Sequence, residues 1–273
     1  MRKKNIFKPL VSVIINCHNA SSFISKSINS VIKQKYKNWE LIIYDNFSKD
    51  KTYSIIKRFI KDKRIKYYKS NSFLNLYHAR NLAINKCKGK FVTFLDADDW
   101  WIDNKLDKQI RFLANKKKIN IIYSNLFLYE EKKGKKKLFS KDKLYNGNIT
   151  QKLLNNFKMP ILTTLINKKI FNKYRFDKRY NIIGDFDLFI RLSLNQQILS
   201  IQEPLAYYRV HSSSMSTKRL DLNISELIDW VKENQKKKQF KYYNFSEIQK
   251  KINTLKIKNN LLMGYRVNVL KEI

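Results

Sequence analysis

Short β-branched apolar runs alternate along the first hundred residues with stretches whose apolar positions fall three and four apart. Residues 10–15 are almost continuously apolar and stop at Asn16, Cys17, His18 and Asn19, the pattern of a strand buried on both faces. Ile24, Ile28, Val31 and Ile32 then take helical spacing. Residues 39–44 read as a second strand ending at Asp45 and Asn46, and Ile55, Ile56, Phe59 and Ile60 mark a second helix. A third strand over 65–68, a helix through Leu82, Ala83 and Ile84, and a fourth strand over 91–95 ending at Asp96, Ala97, Asp98 and Asp99 complete the series. Strands and helices alternating in this way predict an α/β fold, a mostly parallel sheet with helices on both faces. Ligands of such sheets lie beyond the carboxyl ends of the strands. Three strands end here in amides and carboxylates, so their polar ends are expected to converge on one edge.

After Asn120 the alternation decays. Residues 121–129 suit a strand, and residues 130–137, with Gly134, a solvated hairpin tip. A helix is predicted to open near Asp185, with the aspartate as its N-cap, because Phe186, Leu188, Phe189, Leu192 and Leu194 follow. From Ser225 the tail is helical in pattern, through Leu227, Ile228 and Val231 and again through Ile248, Ile252 and Leu255.

Hydrophobic residues make up 43% of the 273 positions, enough for a packed core, which argues against disorder in spite of a net charge of +35. The glycines, at 89, 134, 147, 184 and 264, are too dispersed for either common Gly-rich phosphate loop. Cys17 and Cys87 cannot make a disulfide framework or a four-thiolate zinc site, so a reducing, cytoplasmic setting is expected. The basic start of the chain is followed by too short an apolar run for a signal peptide. No run reaches the roughly 18 apolar residues of a membrane span.

In a chain poor in acid, Asp96, Asp98 and Asp99 form the densest acidic point. Positions 96 and 98 of an extended segment face the same side. Two such carboxylates suit a hard divalent cation, Mn²⁺ or Mg²⁺, that bridges them to substrate phosphates. The same residues would also serve an ordinary strand-end turn in which Asp caps the helix before Lys105 and Leu106.

The sequence from Val11 to Asn19, the segment from Glu40 to Asp50 with Asp45-Asn46 at its centre, Ala79-Arg80-Asn81, and Phe94-Leu95-Asp96-Ala97-Asp98-Asp99 resemble, in order and at the usual distances, the inverting glycosyltransferases of family 2. The likeness extends through Ile183-Gly184-Asp185-Phe186-Asp187 to Tyr207-Tyr208-Arg209-Val210-His211 and the following Ser212, Ser213, Ser214, Met215 and Ser216. It implies a GT-A fold, a nucleotide-sugar donor, and a saccharide or lipid-linked saccharide acceptor in surface polysaccharide, lipopolysaccharide or capsule assembly. By resemblance Asp45 and Asn46 read a uridine-type base, although many relatives carry two aspartates there, and Asn brings a donor as well as an acceptor. Asn16, Asn19, Arg80, Asp96 and Arg209 are then donor-binding, Asp98 and His211 hold the metal, Asp99 either supports them or faces the acceptor, and Asp187 is a further supporting residue. Asp185 matches the catalytic base, with Gly184 where relatives usually place Glu. An ordinary Asp pKa would make it a modest base that Asp187 could strengthen.

The resemblance covers roughly residues 9–217, which implies a domain over 1–217 with a nucleotide-binding half to about residue 115, an acceptor half after it, and a basic helical extension over 218–273. Lysines cluster at 116–118, at 132–137 and through that extension. They suit peripheral contact with an anionic membrane surface, or reflect a general lysine bias. Two other classes share some features. A basic nucleic-acid-binding protein fits the charge, but no recognition motif accompanies it and no nucleic-acid partner is expected. A sugar-nucleotide pyrophosphorylase fits the acidic site but lacks its Gly-rich loop.

Overall fold

Each of the four strands expected in the first hundred residues forms: β1 (Val11–Cys17), β2 (Trp39–Asp45), β3 (Ile65–Lys69) and β4 (Phe91–Phe94). They run parallel in the order β3-β2-β1-β4. The computed structural model describes residues 7–211 and 219–271, so Ser212, Ser213, Ser214, Met215 and Ser216 lie outside the described residues. Successive side chains of a strand point to opposite faces, and the apolar residues divide accordingly. Ile14, Ile42 and Phe94 join one core with helix α3 (Leu76–Lys86). Val13, Ile15, Leu41 and Ile43 join the other with helix α1 (Ile24–Ile32). Helix α2 (Thr52–Ile56) is shorter than the pattern through Ile60 predicts. After Ile56 the chain tightens, with Arg58 N–H bonding to Ile55 O and Phe59 N–H to Ile56 O, the three-residue spacing that ends an α-helix.

The later strands are β5 (Trp100–Trp101), β6 (Ile121–Glu130), β7 (Lys135–Leu138), β8 (Leu165–Asn167) and β9 (Ile198–Val210). They extend the sheet to β3-β2-β1-β4-β8-β6-β9-β5, with β7 pairing β6 alone. The sheet is parallel through its first four strands and again between β6 and β9, while β8 runs antiparallel to both β4 and β6 and β5 antiparallel to β9. The hairpin of β6 and β7 turns through Gly134 at φ 62°, a left-handed conformation that glycine adopts without steric cost.

Helices α4 (Lys105–Leu113), α5 (Thr150–Asn155), α6 (Gly184–Ser193), α7 (Leu220–Asn234) and α8 (Ser246–Lys271) complete the described fold. Asn104, not the aspartate cluster, precedes α4. Asp185 is not the cap of α6 either: Ile183 holds that position without a side-chain bond, and Asp185 stands in the first turn with its carboxylate free to face inward. The residues after 217 share the core of the residues before it. Trp230 of α7 is fully buried, edge-on to Phe186 of α6 at 4.8 Å, and Ile248 and Ile252 of α8 join the same cluster.

The strand order fixes where a ligand can enter. The chain leaves β1 toward β2 and β3 on one side, then returns to β4 on the other, so a crevice opens between the carboxyl ends of β1 and β4.

Candidate active site

A cavity of about 540 Å³ occupies that crevice. Asn16 and Asn19 enter it from the end of β1, Tyr77 and Arg80 from α3, Asp96 and Asp98 from beyond β4. Asn181, Ile182 and Asp185 come from the approach to α6, and His211 from the end of β9. Residues far apart in sequence therefore meet in one wall.

Arg80 lies at its centre. The side chain is 3% exposed, and its two terminal nitrogens bond Asp185 Oδ1 at 2.5 Å and Asp96 Oδ1 at 2.7 Å. It is a buried bridge, and the two carboxylates hold it charged against the cost of burial. Asp185 keeps 24% of its side chain exposed toward the cavity. Burial raises its carboxyl, Arg80 draws it down and the Asp96 charge pushes it up again, which together leave it raised to about 6. The neighbour that raises Asp185 is thus Asp96 and not Asp187. Asp187 turns the other way, where it accepts from Trp230 Nε1 at 3.0 Å and from Arg191 at 2.6 Å.

On the opposite rim, His211 Nε2 lies 2.9 Å from Asp98 Oδ2, and Asp98 is 35% exposed. Asp99 is buried, its Oδ1 accepting the backbone N–H of Arg209 at 2.8 Å, so it fixes the end of β9 and does not face an acceptor. Burial and the neighbouring Asp98 and Asp96 charges raise its carboxyl well above the ordinary range. Arg209 does not reach the cavity wall. Its Nε donates to the Asp98 carbonyl at 2.8 Å and its Nη1 pairs with Glu131, while the guanidinium lies over Phe23 and Trp100. Arg209 therefore ties the end of β9 to the Asp98 peptide.

Asp45 and Asn46 also stand behind the cavity. Asp45 is buried, accepting from Ser48 N–H at 2.8 Å and Tyr67 OH at 2.7 Å. Asn46 uses both ends of its carboxamide on the backbone of one residue, accepting from Leu74 N–H at 2.9 Å and donating to Leu74 O at 2.7 Å. A carboxylate cannot donate, so this pairing gives the Asp-to-Asn departure a structural use. The reason for the displacement is topological: β2 lies on the far side of β1 from the crevice. Asn19, at φ 47°, brings the loop back toward the rim, accepting from Lys49 N–H at 2.9 Å. Asn16 lines the cavity with both polar atoms of its carboxamide buried and without a hydrogen-bond partner among the described residues.

The family model for glycosyl transferase family 2 matches residues 12–192. The chain belongs to glycosyl transferase family 2. It is 33% identical over 213 residues to UDP-Glc:alpha-D-GlcNAc-diphosphoundecaprenol beta-1,3-glucosyltransferase WfgD of Escherichia coli, spanning 77% of this chain and 81% of that protein. It is 41% identical over 113 residues to the putative teichuronic acid biosynthesis glycosyltransferase TuaG of Bacillus subtilis, spanning 40% of this chain and 44% of that one. Among solved structures, S. aureus TarS 1-349 in complex with UDP-GlcNAc superposes with a TM-score of 0.64 at 15% identity, covering 84% of this chain and 68% of that one. The mannosyltransferase PcManGT of Pyrobaculum calidifontis, in complex with GDP-Man and Mn²⁺, gives 0.64 at 13% identity, covering 90% and 70%. The fold is GT-A, and this family 2 glycosyltransferase is a sugar-transferring enzyme rather than a nucleotidyltransferase or a non-catalytic binding protein.

The cavity wall also contains Tyr77, which no sequence motif singles out. Tyr77 is buried, donates its OH to Ile182 O at 2.8 Å, and fills the space beside Gly184: a Cβ there would lie 2.5 Å from its ring. Any side chain at position 184 would therefore collide with the Tyr77 ring. The position of Tyr77 three residues before Arg80, on the same helix face, was the available signal.

Proposed function

We propose that this enzyme transfers a hexose from a UDP-sugar, with inversion at C1, to a hydroxyl of a lipid-linked saccharide used in cell-surface polysaccharide assembly. The observation that carries the reading is the meeting of Asp185 and Asp98 in one crevice, the first tied to Arg80 and the second to His211. The acceptor hydroxyl attacks C1 as its proton passes to Asp185. The new C–O bond forms while the bond from C1 to the phosphate oxygen breaks, and its electron pair leaves with the nucleoside diphosphate. A single displacement inverts the centre, the geometry that also governs inverting hydrolases. Arg80 holds Asp185 in place, and a carboxyl raised to about 6 is a stronger base than an ordinary aspartate while still ionised at neutral pH.

Donor contacts fall to Asn16, Asn19, Arg80 and Asp96, while Asp45, Asn46 and Arg209 shape the loops that carry them. The undirected Asn16 carboxamide has capacity for a ligand's polar atoms. Mn²⁺ or Mg²⁺ fits the donor set of Asp98 and His211. No three His, Cys, Asp or Glu side chains form a closed metal site among the described residues, and such cations commonly complete their shell with phosphate oxygens and water. When bound, the cation would neutralise charge on the departing diphosphate. Titrating UDP calorimetrically is expected to give binding that requires Mn²⁺ or Mg²⁺ and disappears in Asp98→Ala. Equal binding without metal would remove the metal assignment, and no binding under either metal would remove the donor.

No described helix is long and apolar enough to cross a membrane. On α8, Ile257 and Leu261 stand one turn apart, largely exposed, beside Lys250 and Lys258. This face suits a peripheral anionic membrane surface, to which each nearby lysine adds about 1 kcal/mol of attraction. Truncation after Ser225 is a poor test because it removes the buried Trp230. The double variant Ile257→Ser, Leu261→Ser should instead lose sedimentation with phosphatidylglycerol vesicles; undiminished retention would count against membrane contact.

A further inference from the structure

We propose that Glu226, on α7, is a positioning residue for the catalytic carboxylate, which makes α7 part of the active site. The inference rests on the assignment of Asp185 as the base. Glu226 lies beyond the region that the family model matches. Its side chain is buried, and its carboxylate accepts from three successive backbone N–H groups: Asn181 at 2.6 Å, Ile182 at 2.9 Å and Ile183 at 3.1 Å. Charge-assisted bonds to consecutive amides fix peptide planes as well as position.

Those amides belong to the turn that opens α6, where the first N–H groups of a helix need partners and Ile183 supplies no side-chain cap. The same turn is gripped from the other side by α3, where Asn75 Nδ2 donates to Tyr180 O at 2.6 Å and Tyr77 OH to Ile182 O. Asn181 and Ile182 line the cavity, and Asp185 stands two residues beyond the last clamped amide. A slack turn would displace the carboxylate from Arg80 and from the acceptor hydroxyl. The clamp needs an acceptor-only group, since a glutamine in the same place would set an NH₂ against one of the three N–H donors.

Glu226→Gln, close to isosteric, is expected to lower kcat about tenfold or more while leaving the donor KM unchanged, because misplacement of a reacting group affects the chemical step. UDP affinity by calorimetry should stay unchanged, and hydrogen exchange at the amides of residues 181–183 should quicken. Glu226→Asp, which keeps both acceptor oxygens, should recover part of the loss, and it carries the same measurements if the glutamine chain fails to fold. A glutamine variant with wild-type kcat overturns the proposal. So does one in which kcat, UDP affinity and thermal stability fall together, because that pattern belongs to a general support of the fold. An Asp185→Asn enzyme that still transfers sugar would remove the base assignment instead, leaving the exchange measurement to judge the clamp itself.

Discussion

Asp185→Asn is expected to lower sugar transfer by about 10²–10⁴-fold, the usual contribution of a positioned general base. UDP affinity should stay within about twofold, because the lost interaction is with the acceptor proton and not with the donor. The pH profile of the wild-type enzyme supplies an independent reading. With its carboxyl at about 6 in the free protein, Asp185 is a base only above that pH, so kcat/KM should fall as pH drops through 6. A bound diphosphate adds negative charge nearby and moves the corresponding limb of kcat upward. Residual activity of the asparagine variant should lack that limb. An active variant, or an unchanged profile, would show that another group takes the proton.

Arg80→Met should damage stability and activity together. The guanidinium is nearly inaccessible and is shared by Asp96 and Asp185, so its loss leaves two close carboxylates without their counter-charge. Removing one partner of a buried ion pair costs about 3–5 kcal/mol, and the partial exposure of both aspartates places this case at the low end of that range. Transfer should fall by about 10²-fold or more through misplacement of Asp185. The sign of the pH dependence follows from the raised carboxyl of Asp185. Its neutral form is favoured in the folded protein, so its contribution to stability is full below the unfolded pKa and is lost as pH rises through about 6. Without Arg80 the carboxyl rises further, and the deficit against wild type, measured by urea unfolding, should shrink toward pH 4. A methionine variant with the same deficit at pH 4 and pH 8 would refute the account.

The first hundred residues were legible because parallel strands covered on both faces read as apolar runs, and their ends read as abrupt clusters of Asn and Asp. The second half was harder. β6 was legible as a strand over 121–129, but β8 is only three residues long and β9 pairs with β6 through an irregular register, so neither β8 nor β9 leaves a clear period in the sequence. Among the site residues, Asp96, Asp98, Arg80, Asp185 and His211 were identifiable from motifs and do share a cavity. Asp45, Asn46, Arg209 and Asp187 belong to the same motifs but turn their side chains into supporting bonds.

The sequence by itself determined the alternation of strands and helices, the excess of positive charge, and the residue types available for carboxylate chemistry, because each depends on local pattern or on counting. Only the tertiary structure decided which of those residues face one another. Strand order put β4 rather than β2 beside the open crevice, burial together with neighbouring charges carried Asp185 to about 6, and α7 brought Trp230 and Glu226 against the turn before it. These are consequences of contacts between segments distant along the chain, and no local pattern of side chains encodes the distance between them.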